Sequence, residues 1–116
     1  MEISFTNAKL ASICNSAKKL RGKYGPRMAS LIQQRLLEIS ASENLALLRT
    51  LPGPRCHALT ADKKGLLAVD LVHPDRLVFY PDHDPVPLDD DGKLIWADVT
   101  EIVIAGIGDY HKKRKA

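Results

Sequence analysis

A chain of 116 residues, 45% of them hydrophobic, is sized for one domain around one core, and its apolar content is that of a folded globular chain, not one disordered throughout. No apolar run approaches the roughly 20 residues that a membrane-spanning helix needs, and two cysteines outside any Cys-x-x-Cys pair exclude the common zinc and thiol-redox motifs. Net charge is only +3, but cations crowd at Lys18, Lys19, Arg21, Lys23 and Arg27 and again at the C-terminus, while acids collect in "DHDPVPLDDDG", a separation that suits a polyanionic partner.

In chain order, "EISF" reads as a brief opening strand. From Asn7 to Tyr24 apolar residues recur at Leu10, Ile13, Cys14, Ala17, Leu20 and Tyr24, a helical period with cations on the other face. "GKYGPR" interrupts it, with Gly25 suited to a helix end and Pro26 to the first turn of the next helix. That second helix runs from about Pro26 to Ser40, with Met28, Leu31, Ile32, Leu36 and Ile39 as its stripe, and a short helical turn, "ENLALLRTL", stops at Pro52-Gly53-Pro54. Beyond this point "RCHALT", "GLLAVDLV", "RLVFYP" and "VTEIVIAGI" are short, rich in Val, Ile and Leu, and separated by turn residues, so they read as strands. The insert "DHDPVPLDDDGKLIW" reads as an extended surface loop. The expected class is α+β: an N-terminal helical hairpin packed on a four- to five-stranded, mainly antiparallel sheet, in a single domain over 1–116 (helical 1–50, sheet 51–111, basic tail 112–116). The N-terminus lacks a basic stretch followed by an apolar one, so a cytoplasmic protein with reduced thiols is expected.

Five residues stand out by chemistry. His57 lies inside a strand, Arg76 opens another after a tight turn, and the last strand runs out into Asp109-Tyr110-His111, followed by Lys112, Lys113, Arg114 and Lys115. Helix pair, strand histidine ("RCHAL"), basic-Gly turn ("DKKG", Lys63 and Lys64), strand arginine ("HPDRLVFY") and terminal "DYH": this order resembles the HigB-like toxins, or plasmid maintenance killer proteins, of the RelE/ParE superfamily. The terminal triplet is its most specific element. The resemblance implies a RelE-like fold and the toxin of a type II toxin-antitoxin system, an endoribonuclease that cuts mRNA on the ribosome and is held inactive by a cognate antitoxin. It assigns the strand histidine to His57, the strand arginine to Arg76 and the terminal triplet to Asp109, Tyr110 and His111. The chain departs from the family pattern in "LTADKKG", in Asp70 where the middle strand commonly has an arginine, and in its longer acidic insert.

The chemistry stands without the family. RNA cleavage of this kind, with neither metal nor cofactor, removes a proton from a ribose 2′-OH, stabilises a pentacoordinate phosphorus and protonates the leaving 5′-oxygen. Imidazole suits the proton transfers because its unperturbed pKa of about 6.5 lies near working pH. His57 and His111 are expected to share them, with Asp109 assisting, and which histidine is acid and which base stays open. Arg76 offers a planar fork of donors to phosphoryl oxygens. Tyr110 suits a hydrogen bond to phosphate or stacking on a base. Lys63, Lys64 and the tail Lys112 to Lys115 would contact RNA phosphates, positioning the polyanion without reading its bases.

Each residue also has a plainer reading. A strand histidine is commonly structural, Asp109 suits a turn after Gly108, Arg76 an ordinary surface site, and a basic tail is often only solvated. His73 and His83 sit in turn and loop without ligand spacing, so no metal is expected. Trp96 reads as a packing anchor. Two other functions share the expected fold: a ParE-like gyrase poison, which needs no paired imidazoles, and a catalytically inert module that binds RNA or protein. The expected partners are ribosome, mRNA and a helix-turn-helix antitoxin, with no membrane.

Overall fold

The change of apolar period near Gly53 is a change of architecture. The computed structural model describes residues 1–59 and 65–109. Strand β1 (Glu2–Phe5) leads into helices α1 (Ala8–Cys14), α2 (Ala17–Tyr24), α3 (Pro26–Ala41) and α4 (Leu45–Leu48). Strands β2 (His57–Ala58), β3 (Leu67–Asp70), β4 (Arg76–Pro81) and β5 (Glu101–Gly108) follow, in a sheet of order β1-β5-β4-β3-β2. The β5–β4, β4–β3 and β3–β2 pairs are antiparallel, and β1 joins β5 in parallel. The class expected from sequence, helices on a mainly antiparallel sheet, is the class observed. The opening strand belongs to the sheet although its residues precede all the helices.

Sequence periodicity suggests one helix over residues 7–24; two are present. The Asn15 N–H donates to Ala11 O at 3.0 Å and ends α1, and Ser16 Oγ accepts from Lys19 N at 3.1 Å and starts α2. Asn and Ser offer the backbone local partners that compete with an uninterrupted helix, so the apolar period runs on while the hydrogen-bond ladder restarts. Between α2 and α3, Gly25 has φ 84° and ψ 163°, a conformation open essentially to glycine, and Pro26 occupies the first position of α3. Gly25→Ala is expected to lower stability by about 1–3 kcal/mol through backbone strain alone, read as a lower urea midpoint with an unchanged slope.

The core lies between the helices and one face of the sheet. Leu20, Ala29, Ile32, Ile39, Leu45 and Leu48 meet Leu67, Val69, Leu77, Phe79, Ile102 and Ile104, all buried in one cluster. In β5 a register shift opposite Val78 and Phe79, which pair with Gly106 and Ile104, leaves Ala105 as the extra residue. That bulge explains why "IVIAGI" does not alternate cleanly. One inserted residue lets Ile102, Ile104 and Ile107 all reach the helix side.

Both cysteines are free and buried. Burial pushes the Cys56 thiol up to about 12, against a smaller opposing pull from Arg49, and burial raises the Cys14 thiol as well. Between the unfolded thiol pKa and these raised values the unfolded chain binds fewer protons than the folded one. Thiol-linked stability is therefore complete at neutral pH and is lost as pH rises through the alkaline range. Native protein at pH 8 is expected to react with iodoacetamide only at the rate of unfolding, followed by mass spectrometry against a urea-unfolded control.

Candidate functional site

Strand alternation sorts the polar residues from the core. Cys56, Leu67, Val69, Leu77 and Phe79 point to the helices, so His57, Ala68, Asp70, Arg76 and Val78 take the opposite face. The register aligns them in two rows. His57 pairs with Ala68, Ala68 with Val78 and Val78 with Gly106; in the next row Asp70 pairs with Arg76 and Arg76 with Gly108. The rows are two residues apart, about 7 Å along the strands. Asp109 directly follows Gly108, so it stands at the end of the row that holds Arg76. His57 and Arg76, far apart in sequence, therefore share one sheet face, and Asp109 follows the end of β5 next to Gly108, the partner of Arg76.

Asp70 is the centre of this cluster. Its carboxylate accepts from Arg55 Nε at 2.6 Å (Oδ2) and from Arg55 Nη2 at 3.3 Å (Oδ1), and Oδ1 lies 3.7 Å from Arg76 Nε. The Arg55 side chain is 60% exposed and that of Arg76 only 9%. One cation thus faces solvent and the other is set into the sheet, with the Asp70 carboxylate between them. Arg55 holds φ 49°, in the left-handed region, a strained setting for a residue with a side chain. Two bonds hold it there: the pair with Asp70, and a contact of 2.7 Å between His57 Nδ1 and Arg55 O.

That second contact assigns the histidine tautomer. A carbonyl oxygen only accepts, so in the neutral ring Nδ1 carries the proton and Nε2 the lone pair. Nε2 is buried and has no hydrogen-bond partner among the described residues. A fixed ring with an unused basic nitrogen can accept a proton or bind a donor.

A third arginine sets the backbone beneath. Arg35 lies within the apolar stripe of α3 and is buried, with Nε donating to Asp70 O at 2.7 Å, Nη2 to Gly53 O at 3.1 Å and Nη1 to Glu38 Oε1 at 2.9 Å. It fastens helix, loop and strand at one point. Sequence reasoning passed over both Arg35 and Arg55. The available signals were an arginine interrupting the Ile32–Leu36–Ile39 stripe and a second cation two residues before His57.

Of the other expected site residues, Tyr110, His111, Lys63, Lys64, Lys112, Lys113, Arg114 and Lys115 lie outside the described residues. His83 has a structural role: its Nε2 accepts from Thr100 N at 3.0 Å and from Glu101 N at 3.3 Å, tying the insert to the start of β5. Trp96 packs against the core with the Arg49 guanidinium 4.2 Å from its ring centroid, as a packing anchor with a cationic cover. The α2 cations are exposed, but that helix packs on the core face of the sheet, opposite His57 and Arg76. A mostly apolar cavity of about 970 Å³, lined by Tyr80, Val86, Leu88, Leu94 and Trp96, is a separate feature: none of Arg55, His57, Asp70, Arg76 or Asp109 lines it.

Among the described residues no group of three or more His, Cys, Asp or Glu side chains is disposed to hold a metal ion, and no helix is long and apolar enough to cross a membrane. In comparisons with known proteins, no family model matches the chain and no curated protein does.

Proposed function

We propose that the chain is the toxin of a type II toxin-antitoxin system, a cytoplasmic endoribonuclease that cuts mRNA in the ribosome by acid–base chemistry, as its resemblance to the HigB-like toxins implies. The observation that carries the reading is that His57 and Arg76 share the sheet face opposite the helices, with Asp109 just past the end of β5 beside the partner of Arg76. In this reading His57, held through Nδ1, uses Nε2 for proton transfer at the ribose 2′-OH or the leaving oxygen. Arg76 stabilises charge on the phosphoryl oxygens. His111 shares the proton transfer with Asp109 assisting, Tyr110 hydrogen-bonds to phosphate or stacks on a base, and Lys63, Lys64 and the basic tail hold RNA phosphates. The partners are the ribosome, mRNA and a helix-turn-helix antitoxin.

A second reading, an inert RNA- or protein-binding module of the same fold, is favoured by one observation: Asp70 already occupies the space between Arg55 and Arg76. Mapping mRNA 5′ ends by primer extension in a reconstituted translation system separates the readings. Cuts that need ribosomes, and that vanish in His111→Ala, are expected. Absence of cuts from wild type, with ribosome binding intact, would sink the nuclease reading, and inhibition of gyrase supercoiling would then point to a ParE-like poison.

A further inference from the structure

We infer that Arg55 and Arg76 form a seat for a nucleic-acid phosphodiester, and that the Asp70 carboxylate fills that seat until RNA displaces it. The inference rests on the nuclease reading for the identity of the ligand, and on geometry for the seat. Two guanidinium groups converge on one carboxylate, Arg55 through Nε and Nη2 and Arg76 through Nε. Guanidinium recognises carboxylate and phosphate with the same planar fork, so the position Asp70 takes is one a phosphate oxygen can take. The Arg55–Asp70 pair is exchangeable because Arg55 is 60% exposed, and pairs in contact with water are weak and screened by salt.

The backbone of Asp70 is pinned independently of its carboxylate. Arg35 Nε donates to Asp70 O at 2.7 Å and Asp70 N donates to Pro54 O at 2.8 Å. A side-chain rotation can therefore break the carboxylate's contacts with both arginines without moving β3. The seat also adjoins the proposed chemistry, because His57 Nδ1 contacts the carbonyl of Arg55 itself. A phosphate bound by Arg55 is coupled through one residue to the imidazole that would act on the neighbouring ribose. Asp70 thus acts as a built-in competitor that keeps affinity for free polyanions low.

The test measures binding of an uncleavable 2′-O-methyl RNA 12-mer by fluorescence anisotropy over a range of salt, with urea midpoints confirming that each variant is folded. Asp70→Asn is expected to tighten binding several-fold, as removal of one competing anion should. Arg55→Ala is expected to weaken wild-type binding and to lower the log–log salt slope by about 0.7, the increment for one phosphate contact on a single strand. Arg55→Ala combined with Asp70→Asn should lose most of the gain from Asp70→Asn alone. If Asp70→Asn shifts the urea midpoint, Asp70→Ser replaces it. Unchanged or weaker binding by the folded Asp70 variant, no effect of Arg55→Ala, or no binding by either wild type or Asp70→Asn would each overturn the seat. The oligonucleotide cannot be cut, so this outcome is separate from the nuclease reading: a chain that shows the binding pattern but cleaves nothing on ribosomes keeps the seat and loses the nuclease.

Discussion

Replacing His57 with alanine is expected to lower ribosome-dependent mRNA cleavage by about 10²–10⁴-fold, the usual contribution of a positioned acid or base. The fold should survive. The imidazole makes one hydrogen bond, Nδ1 to Arg55 O, and Nε2 makes none among the described residues, so the loss should change stability by only about 1 kcal/mol. His57→Asn sharpens the test. Its amide can still donate to Arg55 O, preserving the local geometry, but it has no basic nitrogen. If proton transfer is the role, asparagine should be as inactive as alanine. If the ring only supports Arg55, asparagine should restore much of the activity. Full cleavage by both folded variants would remove His57 from the chemistry.

The largest effect on stability is expected at Arg35. Arg35→Ala should lower the unfolding free energy by about 3–5 kcal/mol, the range seen when one partner of a buried ion pair is removed. Three acceptors lose their donor together: Asp70 O, Gly53 O and the Glu38 carboxylate. Arg35→Lys keeps the charge but presents a point cation in place of a fork, so it should recover only part of the loss. Urea denaturation measures both. A shift of under about 1 kcal/mol for alanine would mean that water replaces the guanidinium easily. Arg35→Ala should also weaken cleavage in the fraction that stays folded, because the strand end bearing Asp70 and facing Arg76 loses its anchor to α3.

The stability and activity predictions meet at Asp70. Its carbonyl belongs to the scaffold, through Arg35, and its carboxylate to the proposed site, through Arg55 and Arg76. Substitutions there should therefore be read with both a stability and a binding measurement. The left-handed Arg55 is consistent with the same division, since strain of this kind persists where surrounding bonds over-determine it.

The class of the fold is legible in the chain, because apolar period is a local property. The helical stripe through Ile32 and Ile39 and the short strands around Val69, Phe79 and Ile104 could each be read without knowing what they would touch. Gly25-Pro26 and Ser16 carried their turn and cap chemistry in the same local way, although the break at Ser16 was hidden beneath an apolar period that runs through it. His57, Arg76 and Asp109 were legible as residue types with chemistry to offer. The shared face of His57 and Arg76, and the position of Asp109 just past Gly108, were decided by strand order and register, which place Asp70 opposite Arg76 and Arg76 opposite Gly108. The tertiary structure alone turned Arg35 from an oddity in an apolar stripe into a three-way fastener. It also turned Asp70 from a departure in a family pattern into the anion between two arginines. The physical reason is that hydrogen bonds and ion pairs across 15 to 35 residues of chain depend on which elements pack together, and no window of local sequence carries that information.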